Sequence, residues 1–429
     1  MIVSINPKRE EWEALLKRPT MELETIEAIV KPVMEAVKAE GDEALIDFTK
    51  KFDGVEITNF EVSSTEIDAA MGLVPEELKA AIHIAKQNIE TFHAAQKGEV
   101  LKVETMPGVN CYRKSVAIEK VGLYIPGGTA PLFSTVLMLA VPAKIAGCKE
   151  IVLCTPPDKN GNVNPAILFT AQLVGVTKIY KVGGAQAIAA LTFGTTTIPK
   201  VNKIFGPGNQ FVTAAKQLST KYGLAIDMPA GPSEVAVYAD ETAIPAFVAA
   251  DLLSQAEHGA DSQVVLVASS EEIVNAVQQE VQAQLLVLPR AELASKALIN
   301  SVSIVLENRA QAIDLLNEYG AEHLILCVEK PWEVADQIIN AGSVFIGNYT
   351  PESAGDYASG TNHTLPTNGY AKMYSGVSLD SYVKKITYQE ITEEGLKNLG
   401  PVVEIMAEAE LLEAHKNAVT LRLKSLNNV

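Results

Sequence analysis

The chain has 429 residues, of which 48% are hydrophobic and 20% charged, a composition typical of a soluble globular protein with two or three domains. Its 35 basic and 52 acidic residues give a net charge of −17, which argues against nucleic acid as a partner because phosphate binding needs clustered Lys and Arg. No segment reaches the roughly 20 apolar residues of a membrane span. Charged residues begin at position 8, so we expect no signal peptide, no membrane partner and a cytoplasmic location.

Helices are the predicted elements of the first hundred residues, at 11–17, 25–39 and 75–95. After residue 115 short apolar strands alternate with helices in two successive blocks. The predicted strands are 115–125, 150–155, 178–182 and 201–205 in the first block, and 234–238, 262–268, 303–306, 323–328 and 343–347 in the second. From residue 400 onward the chain is predicted to be mainly one helix.

Strands that alternate with helices at this interval predict parallel sheets. We therefore expect an α/β fold with two Rossmann-like, doubly wound parallel-sheet domains and small helical segments at the N- and C-terminal ends. The expected divisions are an N-terminal helical extension at 1–19, a discontinuous first α/β domain at 20–123 and 234–375, a second, dinucleotide-contacting α/β domain at 124–233, and a C-terminal helical tail at 376–429.

Three predicted strand-to-helix turns of the first block are rich in glycine, at 126–128, 183–184 and 206–208. Turns of this kind let backbone N–H groups and a helix N-terminus approach a phosphate. None matches G-x-G-x-x-G, so tight turns with only a packing role remain an alternative. At these turns, where a dinucleotide would lie across the strand ends, the sequence has Tyr124, Gln186 and Asn209.

Histidine is scarce in this chain, and four of its six histidines lie near carboxylates. The pairs are Glu257 with His258, Glu322 with His323, Asp356 with His363, and Glu413 with His415. The third pair lies in a polar, glycine-rich stretch, 351–366, that is typical of a loop carrying a reacting site. Imidazoles near acids indicate metal ligation, proton transfer, or both.

Two of these places support a functional and a structural interpretation. Gln255 and His258 share one helix face and could coordinate a metal, or His258 could simply stabilise the end of the helix. Glu322 and His323 precede an apolar strand and suit general acid–base work, although adjacent Glu-His pairs also occur by chance.

The last predicted helix carries Glu410 and His415. Five positions correspond to about 140° around a helix, so the two side chains would not share one face. They could contact different parts of a site, reach into another subunit, or lie on a solvated face.

The four cysteines form no C-x-x-C pair and no zinc-finger spacing, which indicates reduced thiols; they are Cys111, Cys148, Cys154 and Cys327. Buried structural thiols are one interpretation. A catalytic thiol is the alternative, and it would make the chain a cysteine-dependent aldehyde dehydrogenase acting on another amino alcohol or aldehyde. A binding protein without turnover is a third hypothesis, whose mark would be a substituted Glu322 or His323, and both are present.

Eight strings spread over nearly the whole chain closely resemble the histidinol dehydrogenase family. They are GLYIPGG from Gly122, GGAQ from Gly183, GPGN from Gly206, PAGPSE from Pro229, SQAEHG from Ser254, EH at Glu322, SAGDYASGTNH from Ser353 and HKNAVTLR from His415. The resemblance implies oxidation of L-histidinol to L-histidine through L-histidinal, the last two steps of histidine biosynthesis. It also implies one Zn2+ per subunit and two NAD+ used in turn.

The resemblance further implies a role for each site residue. The zinc ligands would be Gln255, His258, Asp356 and His415, and the acid–base residues would be Glu322 and His323. The substrate would be contacted by Ser233, His363 and Glu410, together with His323 and the four metal ligands. The dinucleotide would be contacted by Tyr124, Gln186 and Asn209. Members are homodimers whose sites use both chains, so His363 or the C-terminal helix could serve the partner subunit.

Overall fold

Residues 1–19, 23–127 and 130–427 are described by a computed structural model of the chain. Position 128, which ends the predicted turn at 126–128, lies outside the described residues, as do the first residues of the segment expected at 20–123 and the last two of the expected tail. The chain forms a large unit, Met1–Gln96 with Ile118–Tyr382, and a small unit, Lys97–Ala117 with Val383–Val429. The domain boundaries expected from the sequence stay a prediction.

The helices and strands are given in chain order for three stretches of the sequence. Up to residue 127 they are β1 (Ile2–Ile5), α1 (Trp12–Leu15), α2 (Leu23–Glu40), α3 (Asp42–Phe48), α4 (Ser64–Leu73), α5 (Glu76–Ala94), β2 (Leu101–Met106), β3 (Val109–Ala117) and β4 (Lys120–Tyr124). From 130 to 230 they are α6 (Phe133–Ala146), β5 (Glu150–Thr155), α7 (Pro165–Val174), β6 (Lys178–Lys181), α8 (Gly184–Phe193), β7 (Lys203–Phe205), α9 (Gln210–Lys221) and β8 (Ala225–Ile226). The rest are β9 (Glu234–Ala239), α10 (Pro245–Ala256), β10 (Gln263–Ala268), α11 (Glu271–Leu285), α12 (Ala291–Ile299), β11 (Val302–Val305), α13 (Arg309–Tyr319), β12 (His323–Cys327), α14 (Pro331–Ala335), β13 (Ser343–Ile346), α15 (Glu352–Tyr357), β14 (Val383–Ile391), α16 (Glu393–Ala409) and α17 (Glu413–Asn427).

Sheet I lies in the large unit and contains parallel strands in the order β6-β5-β4-β7-β8. All but the first residue of β4 and of β5 are buried, because a parallel strand covered on both faces is apolar along its whole length. The helix α6 is buried along most of its length and packs in the core beside these strands. The chain turns back across the sheet between β4 and β7, the kind of switch point at which open α/β sheets bind ligands.

Sheet II, also in the large unit, contains parallel strands in the order β1-β11-β10-β9-β12-β13. Every position of β9 and β10 is buried. The two parallel sheets confirm the predicted fold class. The first residues, predicted as helix, also contribute the edge strand β1, whose β-branched Ile2, Val3 and Ile5 pair in parallel with β11. Among the described helices, none combines the length and apolar character needed to cross a membrane.

The small unit contains an antiparallel sheet in the order β14-β3-β2 together with α16 and α17. The sequence did not predict β2 or β14, because both strands are mostly exposed and carry many charged residues. The single strand predicted at 115–125 is wrong, since β3 ends at Ala117 and β4 begins at Lys120 in the other unit. The single C-terminal helix is also wrong: Leu411 has a φ of 60° between α16 and α17, so Glu410 and His415 belong to different helix ends.

Candidate active site

The amino edge of sheet II gathers several of the predicted site residues. Glu322 and His323 lie at the start of β12, which pairs in register with β9, and Ser233 directly precedes β9. The helix α10 follows β9 and runs back toward the same edge, which brings Gln255 in its last turn beside His323. The short helix α15 supplies Asp356. Strand direction and helix return therefore unite residues that are far apart in sequence.

His323 lies at the centre of this group and is 3% exposed. Its Nε2 is 3.3 Å from Asp356 Oδ1, and its Nδ1 is 3.2 Å from Gln255 Nε2 and 3.7 Å from Glu322 Oε2. Burial lowers the pKa of His323, but the surrounding carboxylates, Glu322 first, outweigh burial and raise it to about 10. These carboxylates favour the imidazolium, whereas the approach of the Gln255 amide nitrogen to Nδ1 fits a neutral ring that accepts at that atom.

Glu322 is held by the backbone of the neighbouring strand. Its Oε2 accepts a hydrogen bond from the Glu234 N–H at 3.0 Å. Burial raises the pKa of Glu322 to about 8, although His323 opposes the shift. A carboxylate in such surroundings is a stronger base than an exposed one, which suits general acid–base chemistry.

Asp356 and His363 interact, but through the backbone of Asp356. His363 Nδ1 donates to the Asp356 carbonyl oxygen at 2.8 Å, and its Nε2 is 3.0 Å from Thr135 Oγ1. Since a carbonyl can only accept, the proton of a neutral ring lies on Nδ1 and Nε2 accepts from the hydroxyl. Burial lowers the pKa of His363 against the opposing effect of Asp356. Burial raises the pKa of Asp356, but His323 outweighs it and the pKa is lowered.

His258 follows the end of α10, and its side chain remains exposed. Desolvation by the surrounding protein nevertheless lowers its pKa, with Asp356 as the main opposing influence. Ser233 is half-buried, and its carbonyl accepts from the Gln263 N–H at 3.2 Å. Both residues lie at the edge where His323 and Asp356 meet.

The donor atoms of this group fit a metal ion. Gln255 Oε1, His323 Nε2 and Asp356 Oδ1 are buried and make no hydrogen bond within the described residues, although the last two atoms approach each other to 3.3 Å as an ion pair. Buried polar atoms without partners are costly, and a cation would satisfy all three. A ligand atom of His323, one of Asp356 and one of Glu352 lie within 4.8 Å of one another.

Glu352 also belongs to this group, although the sequence motifs did not predict it. It is 1% exposed, and its Oε1 accepts from Gln255 Nε2 at 2.7 Å. The available signal was its position four residues before Asp356, which places both on one face of a helix. The stretch was predicted as a loop because it is polar and contains Gly355, and α15 is only six residues long.

Two predicted site residues lie in the small unit. Glu410 follows the end of α16, and His415 lies in the first turn of α17; both side chains are exposed. Their assignment as a substrate contact and a zinc ligand stays a prediction. The large unit contains the other predicted zinc ligands, the two acid–base residues and the substrate contact His363; in chain order these are Gln255, His258, Glu322, His323, Asp356 and His363. With Glu352 they are called the acid–imidazole cluster below.

A cavity of about 1220 Å³ opens at the carboxyl edge of sheet I, and it is called the cofactor cavity below. Tyr124, Gln186 and Asn209 all line it. The Tyr124 hydroxyl accepts from the Gly184 N–H at 3.0 Å, and Asn209 Oδ1 accepts from two N–H groups at the start of α9, at 3.1 and 3.0 Å. Gln186 Nε2 is buried and has no hydrogen-bond partner among the residues described. A cavity of this size, with few directed polar groups, is typical of a small-molecule site.

The glycines at these turns also have a packing role. A Cβ at Gly183 would overlap the Pro156 ring, and one at Gly206, whose φ is 128°, would overlap the Tyr124 carbonyl oxygen. The backbone must therefore pack closely at these two turns, and their approach to a phosphate stays a prediction.

The cysteines do not resemble catalytic nucleophiles. Burial raises the pKa of Cys148 to about 11 and that of Cys327 to about 12, and it also raises the pKa of Cys154. A nucleophilic thiol requires the opposite shift. Cys111 lies on β3 in the small unit. The structural interpretation of the buried thiols is the one their surroundings favour.

Comparison with known proteins gives a consistent result over the whole chain. The model of the family described as histidinol dehydrogenase matches residues 16–423. The chain is 62% identical to the histidinol dehydrogenase of Bacteroides thetaiotaomicron over 98% of both chains, and 53% identical to that of Escherichia coli strain K12 over 97% of this chain and 96% of that one. The crystal structure of histidinol dehydrogenase from Elizabethkingia anophelis matches with a TM-score of 0.97 and 59% identity, covering 100% of this chain and 99% of that chain.

Proposed function

Because the chain belongs to the histidinol dehydrogenase family, we propose that it oxidises L-histidinol to L-histidine through L-histidinal, with Zn2+ and two NAD+ used in turn. Family membership makes it an oxidoreductase of histidine biosynthesis. The acid–imidazole cluster would carry the chemistry, and the cofactor cavity would bind each NAD+.

Zinc would be held by Gln255, His258, Asp356 and His415, the ligand set that the family resemblance implies. The buried, unpaired oxygens of Gln255 and Asp356 support this ligand set. Bound zinc would supply a template that orients an amino alcohol carrying an imidazole through two of its nitrogens. Ser233, His363 and Glu410 would contact the rest of the substrate.

In the first oxidation His323 would accept the hydroxyl proton while the carbon loses a hydride to NAD+. The products are the aldehyde, NADH and a proton held on the imidazole. The carboxylates around His323 raise its pKa, which stabilises the imidazolium that forms, and only the neutral fraction of the ring can accept the proton. NAD+ serves only as hydride acceptor, with Tyr124, Gln186 and Asn209 as its contacts in the cavity.

In the second oxidation Glu322 would remove a proton from water as the water oxygen bonds to the aldehyde carbon. The proton that His323 took in the first oxidation would pass to the former carbonyl oxygen, which completes the hydrate and leaves the ring neutral. The hydrate would then lose a hydride to the second NAD+ and a hydroxyl proton to His323, which leaves the carboxylic acid. Burial of Glu322, with one oxygen fixed by the Glu234 N–H, aims the other oxygen and strengthens it as a base.

The observation that carries this proposal is that buried Glu322 and His323 lie together in one cluster with the candidate zinc ligands. The test is the yield of NADH per L-histidinol, before and after removal of the metal by a chelator and again after addition of zinc. We expect two NADH per substrate, lost with the metal and recovered with zinc. One NADH with released aldehyde would reduce the proposal to a simple alcohol oxidation.

We also propose that the chain is a cytoplasmic homodimer in which each site uses residues of both subunits. Glu410 and His415 are exposed in the small unit, and a zinc ligand exposed in its own subunit is suited to complete the site of another. Mixing two variants that are expected to lose most of the oxidation of L-histidinal, with that oxidation as the measured activity, tests this arrangement. His415→Ala and Glu322→Gln subunits, unfolded and refolded together, would form mixed dimers with one intact and one doubly defective site. Recovery of about a quarter of the wild-type activity is expected for random pairing, whereas sites built within one chain would recover none.

A further inference from the structure

Glu352 links the two helices that flank the acid–imidazole cluster. Its Oε1 accepts from Gln255 Nε2 at 2.7 Å, and its Oε2 accepts from Ser254 Oγ at 3.2 Å. Its own backbone N–H is bonded to the Asp251 carboxylate. Three residues of α10 thus bind one residue at the start of α15, so both carboxylate oxygens of Glu352 are already engaged within the protein.

This bond fixes the orientation of the Gln255 amide. The amide nitrogen of Gln255 donates to Glu352 Oε1, so the amide oxygen is turned away from Glu352. The oxygen is then the buried atom without a hydrogen-bond partner in the described part of the chain. A hydrogen bond donated by the amide nitrogen also draws electron density toward the amide oxygen and makes that oxygen a better donor to a cation.

Amide oxygens are weak ligands for zinc, so the support they receive from neighbouring groups is important. Glu352 and Asp356 lie four residues apart on α15 and share one face of that helix. The short helix α15 therefore carries Glu352, whose carboxyl group orients the Gln255 amide, and Asp356, which is itself a candidate metal ligand.

We propose that Glu352 is a positioning residue that orients and polarises Gln255 for the metal, without binding the metal itself. The proposal rests on the proposed function, in which Gln255 is a zinc ligand. It makes metal affinity depend on Glu352, which is not among the eight positions of the cluster and the C-terminal tail that the sequence motifs predict.

The test measures zinc affinity directly, in metal-stripped protein without substrate or NAD+, by competition with a chromophoric chelator. We expect Glu352→Ala to weaken zinc binding about 10- to 100-fold, the usual effect of removing a group that supports a metal ligand. Glu352→Gln keeps the size and can still accept from Gln255, so it should weaken binding less. It also keeps the proposal testable if the alanine variant does not fold.

Glu257→Gln is the matched control, because it removes the same charge beside His258 and, within the described residues, Glu257 bonds to Gln255 only through its backbone N–H, which the substitution keeps. We expect its zinc affinity to stay within about 2-fold of wild type. Combining Glu352→Ala with Gln255→Ala separates the possible roles of Glu352. If Glu352 acts through Gln255, the double variant binds zinc no more weakly than Gln255→Ala alone.

Two results would overturn the inference while leaving the proposed function intact. One is wild-type zinc affinity in both Glu352 variants together with weak binding in Gln255→Ala. The other is additive losses in the double variant, which would make Glu352 an independent ligand. Failure of the wild-type protein to bind one zinc ion per chain would instead overturn the proposed function, and the inference with it.

Discussion

The cofactor cavity lies at the carboxyl edge of sheet I, whereas the acid–imidazole cluster lies at the amino edge of sheet II. The cavity is lined largely by backbone turns, prolines and apolar side chains, and Gln186 provides its buried, unpaired amide. The cluster instead concentrates carboxylates and imidazoles that shift one another's pKa values. Under the proposed function the difference separates two tasks: a cavity that accepts and releases a cofactor needs shape, and a centre that moves protons needs charges held in place.

If the cluster carries the proton transfers, replacing its base should separate the two oxidations. Glu322→Gln keeps an oxygen that can accept from the Glu234 N–H, so the side chain should hold its position while losing basicity. We expect oxidation of L-histidinal to fall about 100-fold or more and oxidation of L-histidinol to NADH and aldehyde to fall less than about 10-fold. Rates of NADH formation from the two substrates, measured separately at saturating NAD+, test this.

The counterpart is His323→Gln, which should impair both oxidations because both deliver a proton to this residue. Equal losses of both oxidations in Glu322→Gln would contradict a specific role of Glu322 in water activation. The two variants would then share one general defect of the cluster.

The same contrast explains how much the sequence could predict. Continuous apolar runs such as β9 and β10 identify parallel strands, and Glu322-His323 stands out as a motif at the start of another. The exposed strands β2 and β14 have no such apolar run. Both pair with β3, and the sequence of either strand alone does not reveal that pairing. Leu411 gives no sign of a helix break, since nothing in the side chain favours a positive φ.

Residues that act through contacts are the hardest to predict. Glu352 is functional in our proposal only because α10 returns to the edge where β12 begins, a consequence of the complete fold. The pairing of Asp356 with His363 was predicted from proximity in sequence, but the hydrogen bond is made by the Asp356 carbonyl and leaves its carboxylate facing His323. Sequence spacing can show that two groups are near, and it cannot show which atoms meet.

If the cavity works by shape and a few directed groups, loss of one such group should weaken cofactor binding without affecting chemistry. Gln186→Ala removes the buried amide, and we expect the KM for NAD+ to rise about 10-fold, the value of one or two hydrogen bonds, with kcat nearly unchanged in both oxidations. Gln172→Ala, an exposed glutamine on α7 outside the cavity lining, is the control. A fall in kcat without a change in KM would place Gln186 in the chemistry and weaken the division between the two regions.

The smallest expected effect concerns Asp53, a half-buried acidic residue that lines the cavity. Asp53 lines the cavity, its Oδ2 is buried without a hydrogen-bond partner in the described residues, and burial raises the pKa of Asp53 to about 6. Because the folded pKa is raised, the folded state is not penalised below the unfolded pKa of about 4, and it loses stability as the pH rises through 6. Asp53→Asn should therefore be more stable than wild type at pH 8 by about 1 kcal/mol, after allowance for partial exposure, and equal to it near pH 4. Asp47→Asn, which removes an exposed charge from the nearby helix α3, is the control for net charge in thermal unfolding at both pH values. A gain for Asp53→Asn that is the same at pH 4 and pH 8 would mean that ionisation of Asp53 has no cost in the fold, and the cavity would then tolerate charge as readily as the cluster does.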